Sequence, residues 1–481
     1  MNPARTPSSS ARRVGRMAVL TAGYGALLAA CAGGPLPDLA IENVTVIDAV
    51  HGVQPGQTVL VDDGRIVAVR AAGAPSEAAE VLDGTGRYLI PGLWDFHVHL
   101  TYDERFTAAM PGLFLRWGIT SIRDTGGELE AVLPVVAAMR AEGALAPRVF
   151  FAGPLLDGES VVYDGQGRPA LGIANPDVET ARRNVDRLAA AGVDFIKVYE
   201  LVTPEVFHAL VQAARERGLP IDAHVPLSML AREVAPQVNS LEHLRNIELD
   251  CAAGGDELLA ERRAILAGHE EGSGSGLRSR LHRAQRMPAI AAYAPARCGA
   301  VLDAMAATIQ VPTLRLNALA LGPPYARADW DSALARTPAA VAEAWGAAAE
   351  RWRGGPRSAD TTFAAWSLFL VGEMHRRGIP VAAGTDTPIS QAIPGYSLHN
   401  ELEFLVRAGL SPLEALGAAT LRPAAFFGLE AELGTVEEGR LADLVLLAAD
   451  PLADIGNTRT VEAVIAGGRL IRLPDLERLT R

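Results

Sequence analysis

The sequence predicts an α/β protein: a (β/α)8 TIM barrel over residues 91–429, with a small β-sandwich domain built from both chain ends, residues 39–90 and 430–481. Three observations carry that expectation. Between residues 91 and 429 short apolar runs alternate with helical stretches, the pattern of a parallel sheet. Before and after them the chain reads as strands alone. The polar residues of the middle stretch fall where strands end, and a TIM barrel carries its functional side chains at those ends and in the loops after them.

The ends of the chain come first in the argument. Residues 1–30 hold Arg5, Arg12, Arg13 and Arg16, no acid, and an apolar run from Met17 to Ala30 that is short for a membrane-spanning helix and ends in small residues, as a secretory signal does. Leu28-Ala-Ala-Cys31 resembles the bacterial lipobox, which implies that Cys31 is the lipidated first residue of the mature chain; an uncleaved anchor or a chance match is the alternative. Residues 31–38 then form a tether. Ala32, not Asp, follows the cysteine, so the expected address is the outer membrane, facing the periplasm. Loss of residues 1–30 takes the formal charge from −12 to −16, which argues against nucleic acid and against an anionic lipid surface as partners. The membrane is expected to hold the protein through the lipid alone, and an oligomer stays open. Cys251 and Cys298 are then the remaining cysteines; in an oxidising compartment they invite a disulfide, with two buried free thiols as the other reading.

The N-terminal strands are read at Ala40 to Asp48, Gln57 to Asp62, Arg65 to Arg70 and Glu80 to Asp83, with Asp63-Gly64 as a hairpin turn. They are too few to stand alone. Leu441 to Leu447, Val461 to Ala466 and Arg469 to Arg472 supply more from the other end. In the middle the eight barrel strands are Leu93–His97, Ser121–Asp124, Arg148–Ala152, Phe195–Val198, Ile221–Ala223, Ser240–Leu241, Gln310–Leu314 and Pro380–Ala383. Residues 250–300 interrupt the rhythm as a mostly helical insertion with a Gly/Ser loop, leaving open a lid. Residues 326–366 carry Trp330, Trp345, Trp352 and Trp366, read as core packing before pocket lining.

The chemistry begins at Pro91-Gly-Leu-Trp-Asp-Phe-His-Val-His. His97 and His99, two apart at the end of a strand, point the same way and can grip one divalent ion. Together with Phe195-Ile-Lys197-Val, Ala223-His224, Leu241-Glu-His243 and Gly384-Thr-Asp386, this order of motifs resembles the amidohydrolase superfamily, in its imidazolonepropionase-like and prolidase-like branch. The likeness extends to Gly-Leu-Ser-Pro-Leu-Glu-Ala-Leu at 409–416 and Gly-Arg-Leu-Ala-Asp-Leu-Val-Leu at 439–446. It implies two divalent metal ions, with zinc the first expectation: one on His97, His99 and Asp386, the other on His224 and His243, bridged by Lys197 carboxylated by CO2. A CO2 adduct turns a repelling ammonium into an anionic two-oxygen ligand. An ordinary buried lysine paired with Asp194 or Glu200 is the alternative.

The function so implied is hydrolysis of an amide-type C–N bond in a small molecule (N-acyl amino acid, dipeptide or cyclic amide) by a metal-bridging hydroxide, with Asp386 as proton shuttle. Tyr163, Arg245 and His399 are candidates for substrate contact. The chain departs from the branch after the fifth strand, where Ala223-His224 runs into Val-Pro rather than Ala-His-Gly, so peptidase specificity does not carry over. An esterase or lactonase on the same site, or a metal-binding surface lipoprotein without turnover, are the rival readings. Retention of both Lys197 and Asp386 separates the enzyme from the scavenger.

Overall fold

In the computed structural model, residues 36–269, 274–355 and 360–480 are described. The signal sequence, Cys31 and most of the tether lie outside the described residues, as does the start of the insertion's Gly/Ser run. No described helix is long and apolar enough to cross a membrane.

The N-terminal part supplies β1 (Leu39–Asp48), β2 (Gly52–Asp62), β3 (Arg65–Ala71), β4 (Glu80–Asp83) and β5 (Tyr88–Pro91). The central part supplies β6 (Leu93–Val98), β7 (Ile119–Asp124), β8 (Arg148–Phe151), β9 (Leu155–Asp157), β10 (Gly172–Ala174), β11 (Ile196–Val198), β12 (Ile221–Ala223), β13 (Ser240–Glu242) and β14 (Ile309–Val311). The C-terminal part supplies β15 (Leu444–Leu447), β16 (Val461–Ala466) and β17 (Arg469–Arg472).

Strands from both chain ends form one eight-stranded sheet in the order β17-β16-β15-β5-β1-β2-β3, with β4 also on β1. The joint is β5, which pairs parallel with β1 and antiparallel with β15. It was not singled out among the strand runs, because Tyr-Leu-Ile-Pro is short and continuous with the apolar run of β6. The expected sandwich of two stacked sheets is here a single curled sheet. Its far edge returns on itself, since Arg65 in β3 bridges Leu441 just ahead of β15. The alternating apolar side chains of β1, β2, β15 and β16, among them Ile41, Val46, Val59, Leu444 and Ile465, close on a core of their own.

The central strands run parallel in two sheets, β6-β7-β8 and β10-β9-β11-β12-β13-β14. Main-chain hydrogen bonds join them at both edges. Asp194 N donates to Phe151 O, linking β8 to the entry of β11 (2.9 Å), while Gln310 N donates to Pro380 O (2.8 Å) and Phe96 N to Ala383 O (3.0 Å). Pro380–Ala383 therefore lies between β14 and β6 where the eighth strand is expected, although it forms bridges rather than a full ladder. The predicted Gln310–Leu314 strand stops at Val311, because Thr313 is left-handed (φ 45°) and Leu314 opens a short helix. β9 and β10, short strands before the helix Val178–Ala190, were not foreseen.

Trp330 and Trp366 are buried in the main core, and Trp345 packs on Phe106 at 5.1 Å, so the tryptophan-rich segment is packing, as read. Trp352 is 38% exposed. The insertion is helical over Gly255–Ala267, Gly274–Ala291 and Pro295–Ala304. Cys251 and Cys298 are bonded at its base, with a Cα separation of 4.2 Å.

The pair closes a loop 47 residues apart in sequence, long enough for loop-closure entropy to matter. The double variant Cys251→Ala/Cys298→Ala is expected to lose roughly 2–4 kcal/mol of unfolding free energy in urea titration. Non-reduced digests of the wild type should show the two peptides joined; finding both thiols free would remove the clamp.

Candidate metal centre

The site forms where the parallel strands stop. β6 is buried along its whole length, and β11, β12 and β13 end beside it. Gly384 sits against β6 so closely that a Cβ there would lie 2.7 Å from the Cβ of His97, which is why the segment before Asp386 carries a glycine. Asp95 then ties the two together: it accepts from Thr385 N (2.9 Å) and from Thr385 Oγ1 (2.6 Å), setting the residue next to Asp386.

His97 Nε2 and His99 Nε2 lie 3.2 and 3.1 Å from Asp386 Oδ1. Their orientation is fixed from behind. His99 Nδ1 is 3.0 Å from the Gly126 carbonyl, which only accepts, so the proton is on Nδ1 and Nε2 offers its lone pair. His97 Nδ1 is 2.5 Å from Glu242 Oε2, with the same result. With Nδ1 engaged behind each ring, the two Nε2 atoms face one carboxylate oxygen, an arrangement that calls for a cation between them, a proton or a metal ion. With a proton as the only cation, burial works against charge on His97, yet Glu242 and Asp386 push its pKa up to about 9. Burial likewise raises Asp386, but His243, His97 and His99 hold it well below the usual carboxylate range.

His224 and His243 complete the ring. His224 Nδ1 is 2.8 Å from Glu200 Oε1. His243 Nδ1 is 2.6 Å from Thr313 Oγ1, whose own hydrogen goes to Pro312 O, so His243 is the donor and its Nε2 is bare. Burial and then Lys197 draw His224 down to about 3, and burial draws His243 well below the usual imidazole range. Both are neutral at pH 7, the form that ligates. The ring centroids of His97 and His243 are 4.5 Å apart, and those of His224 and His243 are 4.8 Å apart.

These four histidines, Asp386 and Lys197 line one cavity of about 210 Å³, together with Tyr163, Arg245, Tyr199 and Arg278. The donor set, imidazole nitrogens with a carboxylate, fits divalent metal. Lys197 is buried, and its ammonium donates to Asp222 Oδ2 at 2.7 Å. Neither Asp194 nor Glu200 is its partner: Asp194 accepts from Phe151 N, and Glu200 is taken by His224, Arg278 and His282. The register explains this, since Lys197 on β11 is directly paired with Asp222 on β12.

Of the substrate-contact candidates, Tyr163 and Arg245 reach the cavity. His399 does not. It is fully buried on the helix Tyr396–Ala408, with Nδ1 on Thr458 Oγ1 (2.8 Å) and Nε2 on Trp117 O (3.0 Å), so both nitrogens serve packing. Asp124, also at a strand end, braces the loop after β6 by accepting from Leu100 N at 2.7 Å. The residues that orient the ligands, Glu242, Glu200 and Thr313, were not picked out beforehand. A charged residue inside a buried strand, as in Leu241-Glu-His243, is a signal for Glu242; nothing in the sequence brings Thr313 to His243.

A parallel α/β fold that gathers bare imidazoles and a carboxylate at its strand ends defines a metal-binding, hydrolase-type site. The Amidohydrolase family model matches residues 368–471. Imidazolonepropionase of Symbiobacterium thermophilum is 28% identical over 94% of this chain and 97% of its own. Adenine deaminase of a Chelativorans strain is 30% identical over 39% of this chain; the match spans about a third of that relative's length, 32%. Among solved structures, a prolidase-type protein from Bifidobacterium longum superposes with a TM-score of 0.61 at 25% identity, covering 92% of this chain and 98% of the other. The chain thus matches the Amidohydrolase family over its C-terminal part and is similar to imidazolonepropionase, and to prolidase-type structures in fold, along most of its length.

Thr313 offers a direct test of the orienting bonds. Thr313→Val should weaken metal binding by about 10–100-fold in competition with a chromophoric chelator, and Thr313→Ser should restore it. Unchanged affinity in the valine variant would show that His243 does not depend on this bond.

Proposed function

We propose that the protein is a binuclear metal-dependent hydrolase that cleaves amide-type C–N bonds of N-acyl amino acids, dipeptides or cyclic amides, and that its ring of parallel strands is a (β/α)8 barrel. The observation that carries the reading is the convergence of the bare Nε2 atoms of His97 and His99 on Asp386, beside His224, His243 and Lys197 in one cavity. His97, His99 and Asp386 would hold one ion and His224 and His243 the other, with a carboxylated Lys197 as a further anionic ligand. Bound divalent ions supply a water acidic enough to attack at neutral pH and a Lewis acid for the carbonyl. Asp386 takes the proton of the attacking water and returns it to the departing amine. Its place is held by Arg315, which donates to Thr385 O, Ile389 O and Ser390 O on either side of it.

The direct test is turnover of a mixed library of N-acyl amino acids, dipeptides, cyclic amides and esters by protein reconstituted with Zn2+ or Mn2+. Cleavage of amides is the expected result, lost on chelation; cleavage of esters alone would make it an esterase, and metal binding without turnover would make it a scavenger. Lys197→Ala should bind less metal and lose nearly all turnover, with partial rescue by a small carboxylic acid. The same change strips Asp222 of its partner, so Lys197→Ala/Asp222→Asn is the control for stability. Full activity and full metal content in Lys197→Ala would rule out the bridge.

We further propose that Cys31 anchors the mature protein by lipid in the outer membrane. In a Gram-negative host a fatty-acid probe should label the wild type and not Cys31→Ser. Persistent labelling of the variant would end that reading.

A further inference from the structure

The insertion contributes to the cavity wall. Its helix Gly274–Ala291 brings Arg278 and His282 onto Glu200: Arg278 Nε and Nη2 lie 2.9 and 2.8 Å from Oε1, and His282 Nε2 lies 2.7 Å from Oε2. With His224 on Oε1 as well, Glu200 is fully engaged. Two turns beyond Arg278, Arg286 pairs with Glu248 at 3.4 Å and donates to His282 Nδ1 at 2.9 Å.

Arg245, two residues past His243, is placed differently. It lines the cavity, its Nε is buried without a hydrogen-bond partner, and among the described residues its guanidinium makes no ion pair. Arg245, Arg278 and Arg286, with Arg262 behind them, thus stand against Glu200 and Glu248, so positive charge is in excess beside the cavity. Like any guanidinium, Arg245 is charged at neutral pH. A half-buried guanidinium with no ion-pair partner and an unpartnered buried Nε is costly in an otherwise satisfied wall and is relieved by an anion. Its planar fork matches a carboxylate. The remaining surface here is aromatic: Arg278 lies 5.8 Å from the centre of the Tyr199 ring, which packs on Tyr163 and on His224.

We propose that Arg245, with Arg278 of the insertion beside it, forms an anion-recognition pole of the cavity that receives a carboxylate of the substrate on the His224 and His243 side of the centre. Speaking of a substrate rests on the hydrolase reading above; the pole itself rests on Arg245. Arg278 Nε and Nη2 are held by Glu200, which leaves Nη1 outside that pair and makes Arg245 the principal contact.

The test uses metal-loaded full-length protein and matched acid and amide probes: N-benzoylglycine against N-benzoylglycinamide, and N-acetylphenylalanine against N-acetylphenylalaninamide. Calorimetric affinities should favour the acid by about tenfold to a hundredfold, the range for a hydrogen bond to a charged group. Arg245→Gln should bring the ratio close to one and Arg245→Lys restore part of it, with melting temperatures confirming that both variants fold. A carboxylate bound by metal alone would keep its preference in Arg245→Gln. No discrimination in any pair, or discrimination that survives Arg245→Gln, overturns the proposal. Turnover is scored separately: discrimination without hydrolysis counts against the hydrolase reading and leaves the pole standing, while hydrolysis without discrimination does the reverse.

Discussion

Glu242 is the constraint on which the site depends. One of its oxygens accepts from His97 Nδ1 and the other from Arg123 Nη2, in an interior beneath the strand ends where Glu242, Arg123 and Asp222 are all buried. Burial alone would protonate Glu242, but Lys197, His97 and Arg123 hold its pKa well below the usual range. Arg123 is in turn held by Phe96 O at 2.7 Å and lies 3.6 Å from the centre of the Phe96 ring. Ser240 Oγ joins the two halves, accepting from Arg123 and donating to Asp222. Removing one partner from such a buried set leaves an uncompensated charge and costs about 3–5 kcal/mol, so the network is kept as a unit. The ligand His97 stands on top of it, and its tautomer is decided there.

Backbone strain concentrates at the same rim. His243, Leu244, Asn246, Thr313, Asp386, Ser390 and Gln391 all have positive φ, a conformation unfavourable for residues with a Cβ. Such strain persists where surroundings over-determine it. Here Asn317 Nδ2 donates to His243 O (2.9 Å), Asn246 Nδ2 to Val225 O (2.7 Å), and Arg315 clasps the loop that carries Asp386. The chain leaves these strands sharply, and the candidate ligand is thereby turned into the cavity instead of continuing along the sheet.

What could be read in advance follows from this arrangement. The candidate ligands are legible because they fall at strand ends with fixed local signals, and period-two alternation places His97 and His99 on one side. The partners of those ligands were not. Lys197 was weighed against Asp194 and Glu200, its neighbours in sequence, whereas inter-strand register gives it Asp222. His399 reads from sequence either as a loop residue after the last strand or as part of a helix start; it stands on the helix, which turns it into the core toward Thr458 and Trp117. The joint strand β5 escaped notice for a related reason: its role is to pair with both β1 and β15, and pairing is a property of the folded sheet rather than of four residues.

The unmodified Lys197 and the proposed carboxylated one are two charge states of the same interior. With the ammonium present, Lys197 and Arg123 match Asp222 and Glu242, and the buried layer is neutral without any ion above it. Carboxylation replaces a positive charge by a negative one and frees Asp222 from its 2.7 Å contact, so the layer then carries two uncompensated negative charges. In a low-dielectric interior that excess is tolerable only if cations arrive. Conversely, an ammonium beside two dications is repelled and favours its own conversion. The proposed modification and metal loading would therefore be thermodynamically linked, each raising the affinity for the other by the same factor. On the proposed reading, the Lys197–Asp222 pair is the alternative that keeps the buried layer neutral, and its displacement would set part of the cost of assembling the centre.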